Sequence, residues 1–472
     1  MLFPTVAFAA FFCVAFLANW LLRPRFRLWR VTMIALSLVF YGWWDWRFVP
    51  LLLSSVAVNQ AAAVGVHQLR ARPGAVRRMM LLAGVGADLG LLGFFKYYDF
   101  FATSTGNALT RIGWDASPPV LDVVLPIGIS FFTFQGISYV VDVYRQKLAP
   151  MPLGDAAFLM TFFPHLVAGP IVRASELAGQ ITRRPDPRTI PAGEAFWLIG
   201  QGLLKKVVIS SYLATALVDP VFDVPGQHSR TEVAAAVYAY AVQIYADFSG
   251  YTDIAIGCAL LLGFRFPQNF DAPYRARSLQ EFWHRWHMSL SRWIRDYLYL
   301  PLGGSRGGRI ATARNLVVAM VLAGLWHGAA WTFLVWGALH AAALVVERAV
   351  RAVWRPVGMP PELVAALQWL VTFHVVCLGW VFFRADDLGR ALELLNQLVA
   401  GGPPAELITA TAVAVTGVAL AVQFVPDRAA AQARRQLASA NPLVQVAVLA
   451  SFLTAVAAFG PQGVAPFIYF QF

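Results

Sequence analysis

The sequence predicts an all-α protein that crosses a membrane several times, and its composition is the first reason. Of the 472 residues, 58% are hydrophobic and only 13% are charged, and the mean hydropathy is +0.60. A soluble domain carries about 25% charged residues, so this chain has too few polar side chains to cover a surface in water. The apolar content also excludes a disordered chain, because such chains contain too few apolar side chains to collapse.

The second reason is a series of apolar runs that approach the length of a membrane span, which is about 20 residues. About a dozen membrane segments are predicted, at 2–22, 31–44, 48–66, 79–95, 120–143, 156–172, 195–218, 232–263, 315–333, 334–346, 364–383, 407–425 and 443–460. The first basic cluster follows the first run, which predicts a retained span and not a cleaved signal peptide. Pro164 and Gly169-Pro170 interrupt the run at 156–172, so we expect this segment to be re-entrant.

The distribution of positive charge predicts the topology. The formal net charge is +12, and basic loops nearly alternate with acidic or neutral ones when the N-terminus is placed outside. Basic residues concentrate in cytoplasmic loops, so both termini are predicted to lie outside. The excess charge then needs no nucleic-acid partner. The basic clusters are Arg23–Arg30, Arg70–Arg78, Arg145–Lys147, Arg183–Arg188, Arg348–Arg355 and Arg428–Arg435.

One cytoplasmic connection, residues 264–314, is unusually long and basic. Within it, a helix from Leu279 to Leu300 is predicted to lie in the membrane interface, because large apolar side chains share one helical stripe. The stripe comprises Phe282, Trp286, Leu290, Trp293, Tyr297 and Leu300. This helix either anchors the protein on anionic lipid or forms a basic mouth for a phosphate-bearing donor. Arg285, Arg292 and Arg295 are the candidate phosphate-binding residues of that mouth.

His327 is the most informative of the 8 histidines. At 1.5 Å per residue it lies roughly 20 Å beyond Arg314, so we expect it in the middle or outer half of a membrane about 30 Å thick. An ionisable group at that depth indicates a functional site, and imidazole suits general-base chemistry near neutral pH. Gly328 and Ala329 are expected to leave room for a substrate. The alternative is a histidine that only packs between helices.

Other polar residues give weaker signals. His284 and His287 are three residues apart, but no cysteine or carboxylate pattern supports them, so no metal site is predicted. Asp247 and Asp253 lie inside the apolar run at 232–263. They either face a polar cavity within the membrane or have a purely structural role.

Six motifs resemble those of the membrane-bound O-acyltransferase family, and they occur in the family's order. The resemblance covers most of the chain and predicts a single membrane domain over residues 1–472, with the basic stretch 264–314 inside it. The branch it resembles is the bacterial alginate O-acetyltransferase type. The motifs are FFKYY at 94–98, LPIGISFFTFQ at 125–135, FPHLVAGPI at 163–171, YADFSGYTD at 245–253, FWHRWHMSL at 282–290 and LWHGAAW at 325–331.

The resemblance implies helices around a transmembrane tunnel, in a bacterial cytoplasmic membrane. A cytoplasmic acyl thioester, acetyl-coenzyme A in the first instance, would donate an acyl group to a hydroxyl acceptor outside. His327 would be the catalytic histidine and His287 the second family histidine. The group that stabilises the oxyanion is not identified, and a helix terminus and His287 are its two candidates. No bound cofactor is implied. The implied acceptor is a surface polysaccharide or peptidoglycan, served by an extracytoplasmic acetyltransferase partner.

Two alternatives differ from this interpretation. A polytopic transporter or channel would also place polar residues inside the membrane, but no internal repeat typical of transporters is visible. An acylator of lipid or protein would use the same chemistry on another acceptor.

The C-terminal aromatic residues lead to a first testable prediction. Phe467, Tyr469 and Phe472 resemble the aromatic peptide whose tyrosine relays acyl groups in related systems. Tyr469 is either such a relay or an aromatic anchor at the interface. If it is a relay, Tyr469→Phe abolishes acetylation of the surface polymer in cells; unchanged acetylation would reject the relay.

Overall fold

A computed structural model describes residues 1, 3–72, 74–114, 118–354, 358–400, 402–426 and short stretches between 428 and 454. The described residues form helices and connecting loops, without a β-strand, as the sequence predicts. The chain divides into two compact units. The first comprises residues 1–195 and 255–267, and the second comprises residues 196–254 and 268–472.

The first unit consists of nine described helices together with the end of a long later helix. Its apolar runs form helices close to the predicted positions, although 120–128 lies outside any helix. The helices are α1 Val6–Leu22, α2 Phe26–Gly42, α3 Val49–Gln68, α4 Gly74–Leu92, α5 Tyr98–Arg111, α6 Ile129–Tyr144, α7 Leu153–Thr161, α8 Phe163–Leu166 and α9 Ala174–Ile181.

A buried polar network ties residues 255–267 to α1 in this unit. The Asn19 side-chain amide donates to the Leu262 carbonyl at 3.2 Å, and its oxygen accepts from the Trp29 indole N–H at 2.9 Å. The Arg23 guanidinium lies 3.8 Å from the centre of the Trp29 ring. Buried polar groups are stabilising only when they are paired in this way. The network therefore holds residues 255–267 against α1.

The segment predicted to be re-entrant is broken, as its prolines and glycines indicate. Only α7 and α8 are helical, and residues 167–173 continue without helix although most of them are buried. Gly128, at φ +76°, packs directly on this segment. A Cβ at this position would lie only 2.7 Å from the Leu166 carbonyl oxygen. Whether the segment crosses the membrane stays a prediction.

The second unit contains the remaining helices. The run predicted at 195–218 is helical with two π-helical stretches, Leu204–Ser210 and Ala214–Val218. The helices are α10 Ala192–Leu203, which begins in the first unit, α11 Ser211–Leu213, α12 Asp219–Asp223, α13 Arg230–Leu261, α14 Leu279–Arg285, α15 Met288–Ile294, α16 Gly308–His327, α17 Trp331–Val353, α18 Pro361–Arg384, α19 Leu388–Ala400 and α20 Ala410–Ala421.

Helices α16 and α17 pack very closely, and their boundary differs from the predicted one. The break lies at residues 328–330, not at 333/334, and α16 begins at Gly308 instead of near Asn315. A Cβ on Gly324 would lie 2.2 Å from the Phe333 carbonyl oxygen, and one on Gly337 would lie 2.4 Å from that of Met320. Small residues at both positions let the two backbones touch, a common device in membrane helices.

Among the described residues, five helical segments are long and apolar enough to span a membrane: Trp46–Ala71, Gly74–Arg111, Gly308–His327, Trp331–Val353 and Pro361–Arg384. Two shorter apolar helices, Val6–Leu22 and Ala410–Phe424, accompany them. The chain is therefore a multi-span helical membrane protein. The larger number of about a dozen segments and the tunnel stay predictions.

Candidate active site

The interfacial helix predicted from Leu279 to Leu300 is not continuous. It is broken into α14 and α15 at Trp286-His287, and a π-helical turn, Arg295–Tyr299, follows. His287 has a left-handed backbone, with φ 41° and ψ 54°, which is uncommon for a residue with a Cβ. The apolar stripe is buried as far as Trp293, but Leu300 is 51% exposed.

Asn269, which precedes α14, explains the break. Its side-chain oxygen accepts hydrogen bonds from the Ser289 backbone N–H at 3.1 Å, the Ser289 hydroxyl at 2.8 Å and the His287 ring at 3.1 Å. Its backbone carbonyl accepts from Met288 N–H at 2.9 Å. These bonds satisfy N–H groups that the first turn of α15 leaves without helical partners, so the helix restarts after His287. The helical periodicity of residues 279–300 could not predict this break, because Asn269 lies outside that segment.

His287 and His327 both lie close to the ring of Trp326. The His287 ring centre is 6.0 Å from that of Trp326, and Trp326 is 5.0 Å from His327. His287 is completely buried and His327 is 3% exposed. His327 is the last residue of α16, a 20-residue helix that is about 30 Å long at 1.5 Å per residue. The structure thus brings the two predicted histidines into one neighbourhood.

Aromatic rings surround His327 on its other sides. The ring centres of Trp336 and Phe383 each lie 5.1 Å from that of His327. The space expected beside Gly328 is not free: a Cβ on Gly328 would lie 2.0 Å from the Phe333 ring. The expectation that Gly328 leaves room for a substrate is therefore wrong, because Phe333 occupies that position.

A cavity of about 490 Å³ approaches this neighbourhood from the basic stretch. Along α16 its wall is formed by Leu316, Ala319, Met320 and Ala323, which share one helix face. Trp283 also lines the cavity. Its ring centre is 5.7 Å from that of Trp336, and the Trp336 ring centre is 5.1 Å from that of His327. The other lining residues include Gln280, His284, Met288, Ser291, Ile294, Tyr299, Ser305 and Leu344.

Four arginines, which we call the cavity arginines, line this cavity: Arg292, Arg295, Arg348 and Arg351. Two of the three arginines predicted for the basic mouth are among them. The third, Arg285, does not line the cavity and pairs with Asp271 at 2.6 Å and Glu281 at 3.0 Å. Two cavity arginines are also paired, Arg295 with Asp296 at 2.7 Å and Arg351 with the lining residue Glu347 at 3.0 Å. The sequence predicts only a cytoplasmic basic cluster for Arg348 and Arg351, because their proximity to the cavity arises from the packing of α17.

The two predicted tunnel aspartates are held by lysines of the second unit. Asp247, 3% exposed, pairs with Lys206 and accepts from the Ser210 hydroxyl at 3.3 Å. Asp253 pairs with Lys205 at 2.7 Å and accepts from the Gln201 amide at 2.9 Å. Both lysines lie in the π-helical stretch Leu204–Ser210. These pairs give the aspartates structural partners; no role in a tunnel follows from them.

His340 is a further site residue that the sequence reasoning missed. It is completely buried, and its ring centre lies 4.8 Å from Trp336 and 5.3 Å from the cavity residue Trp283. Its position inside the apolar run at 334–346 was the signal that could have found it. The predicted relay residue Tyr469 lies outside the described residues.

Comparison with known proteins identifies the family. Residues 156–384 match the model of MBOAT, membrane-bound O-acyltransferase family. The chain is 40% identical over 404 residues to a probable alginate O-acetylase AlgI of Azotobacter vinelandii, covering 85% of this chain and 79% of the relative. The chain belongs to the membrane-bound O-acyltransferase family. It is thus a membrane O-acyltransferase, as its motifs indicate.

Two further relatives extend the comparison. A peptidoglycan O-acetyltransferase of Helicobacter pylori is 38% identical over 436 residues, covering 84% of this chain and 80% of the relative. A teichoic acid D-alanyltransferase of Streptococcus thermophilus is 27% identical over 287 residues, covering 54% of this chain and 68% of the relative. Family membership favours acyl transfer over the transporter or channel alternative.

The pair formed by Asp247 and Lys206 can be tested for a purely structural role. Asp247→Leu removes the carboxylate that pairs with the buried Lys206 ammonium, which we expect to lower the free energy of unfolding by about 3–5 kcal/mol. The double variant Lys206→Met/Asp247→Leu should recover most of this loss. Denaturant unfolding in detergent measures both values, and transferase activity is assayed in parallel.

The outcomes separate the two interpretations of Asp247. If the double variant regains both stability and activity, the pair is structural. If it regains stability and stays inactive, Asp247 has a functional role. A double variant as unstable as Asp247→Leu alone would contradict the pairing argument.

Proposed function

We propose that this protein transfers an acetyl group from a cytoplasmic thioester to a hydroxyl acceptor on the outer side of the membrane, for O-acetylation of a cell-surface polymer. The A. vinelandii relative is named for alginate and the H. pylori relative for peptidoglycan, which supports a polysaccharide or peptidoglycan acceptor. An acylator of lipid or protein remains the alternative acceptor class. The observation that carries the proposal is the cavity that runs from the cavity arginines toward the two buried histidines.

The donor proposed for this cavity is acetyl-coenzyme A or another acyl thioester on the same phosphate-bearing arm. Arginine recognises phosphate through paired N–H donors, and four arginines line the cavity. Ala319, Ala323 and Trp283 also line the cavity, so we place the arm along α16. Phosphates would therefore stay near the arginines while the thioester extends toward His327.

His327 is the proposed general base. It takes the proton of the acceptor hydroxyl, whose oxygen attacks the thioester carbonyl carbon. A carbon–oxygen bond forms, the carbon–sulfur bond breaks, and the leaving thiolate takes the proton back from His327. The surrounding rings of Trp326, Trp336 and Phe383 exclude water, which would otherwise hydrolyse the thioester.

The proposed location is a bacterial cytoplasmic membrane, with both termini outside. The alternation of basic and acidic loops in the sequence supports this orientation. We further propose an extracytoplasmic acetyltransferase as the partner that carries the acetyl group to the polymer, with Tyr469 as the relay between them. Membrane lipids contact the exposed apolar helix faces and the basic loops.

The catalytic assignment predicts that His327→Ala abolishes transfer. Loss of the base removes the only proposed proton acceptor for the hydroxyl, so we expect kcat to fall by at least about 100-fold, the lower range for general-base catalysis. Purified protein is assayed with radiolabelled acetyl-coenzyme A and a polymer acceptor. His67→Ala, at the end of α3, is the matched control and should retain activity. Full activity of His327→Ala would reject the mechanism.

The donor assignment predicts that Arg348→Gln raises the KM for acetyl-coenzyme A. Losing one phosphate contact should cost about tenfold, or 1.4 kcal/mol, with kcat little changed because the contact is remote from the reacting atoms. Arg78→Gln, on the exposed surface of α4, is the matched control. An unchanged KM in Arg348→Gln and in an Arg292→Gln/Arg351→Gln variant would place the phosphates elsewhere.

A further inference from the structure

The hydrogen bonds of Asn269 determine which nitrogen of His287 carries a proton. The Ser289 backbone N–H can only donate, and it lies 3.1 Å from one side-chain atom of Asn269. That atom must therefore be the amide oxygen. The same oxygen lies 3.1 Å from Nδ1 of His287, and two acceptors cannot share a hydrogen bond. Nδ1 of His287 consequently carries a hydrogen and donates it to Asn269.

The ring of His287 is neutral, so its other nitrogen is an acceptor. The side chain is completely buried between aromatic rings, with Phe248 at 4.6 Å and Trp326 at 6.0 Å between ring centres. Burial lowers the pKa of His287 to about 3, because the charged form loses its hydration. A neutral imidazole with a hydrogen on Nδ1 has a bare lone pair on Nε2.

That lone pair has no hydrogen-bond partner within the part of the chain that the structure describes. Such a buried polar atom is costly and needs an explanation. The backbone of His287 is also held in the left-handed region, at φ 41°. Strained conformations of this kind persist where the surrounding structure imposes them, and they concentrate at functional sites. Here the imposing contacts are those of Asn269 with Ser289 and Met288.

We propose that Asn269 is a positioning residue that holds His287 with Nδ1 protonated, so that Nε2 accepts a hydrogen bond from a substrate. This inference rests on the proposed acyl transfer. It excludes His287 as the donor that stabilises the oxyanion, because Nε2 has no hydrogen to donate. The substrate group is a hydrogen-bond donor: either the hydroxyl of the acceptor or an amide N–H of the thioester arm.

The tautomer is measured directly by ¹⁵N NMR on full-length protein with labelled histidine, in detergent. The His287 signals are assigned by their loss in His287→Gln. We expect a protonated, pyrrole-type Nδ1 and an unprotonated Nε2 in the native protein, and a mixture of tautomers in Asn269→Ala. Ser289→Ala is the matched control, since it removes one donor to the same oxygen but leaves the bond to His287. A protonated Nε2 in the native protein overturns the inference.

Kinetics of two His287 variants distinguish a substrate contact from a merely structural one. The glutamine of His287→Gln places its amide near the position of Nε2, so its oxygen can still accept a hydrogen bond from the substrate. The shorter asparagine of His287→Asn can keep only the hydrogen bond to Asn269. We expect His287→Gln to be at least about tenfold more active than His287→Asn, and Asn269→Ala to lose about tenfold in activity, the cost of one lost hydrogen bond to the substrate. The reverse order of the two His287 variants overturns the inference.

The same variants identify the substrate that donates the hydrogen bond. A raised KM for the polymer acceptor assigns the bond to its hydroxyl, and a raised KM for acetyl-coenzyme A assigns it to the amide of the arm. Failure of the proposed function has a different signature, since the native protein would then transfer no acetyl group while the NMR result for His287 is unaffected. Thermal unfolding of each variant confirms that it is folded.

Discussion

The arrangement of the site depends on one side-chain oxygen, that of Asn269. Without its bonds to Ser289 and His287, residues 279–294 have the periodicity of one straight amphipathic helix. A straight helix would place His287 by its register alone. The break gives His287 a backbone conformation that no helix allows, and the bond to Nδ1 fixes the ring. Both the direction of the side chain and its tautomer therefore follow from a single acceptor.

The close packing of α16 on α17 supplies the second constraint. Because Gly324 and Gly337 let the backbones touch, His327 at the end of α16 lies against Trp336, in the second turn of α17. The same packing brings Arg348 and Arg351, at the other end of α17, to the cavity that follows α16. One pair of helices thus positions both the phosphate-binding end and the histidine end of the proposed donor path.

The sequence predicted those features that depend on local pattern. Apolar runs indicated most helices. The functional role of His327, which its depth in its run indicates, stays a prediction. Features that depend on contacts between distant residues were not predictable. The break at His287 is caused by Asn269, outside the helix; the partners of Asp247 and Asp253 lie in an earlier π-helical stretch; and Phe333 fills the space at Gly328 because the chain reverses there.

The aromatic surroundings of the two histidines are consistent with the demands of acyl transfer between water-soluble substrates. A general base that is accessible to water would also promote hydrolysis of the thioester. The base must therefore contact the acceptor hydroxyl while solvent is excluded. Trp326, Trp336 and Phe383 pack on His327, and Phe248 and Trp326 pack on His287. Polar atoms in such a site are few, and each has a larger electrostatic effect because the local dielectric constant is low. This is why the orientation of one imidazole, set by one amide, has consequences for the reaction.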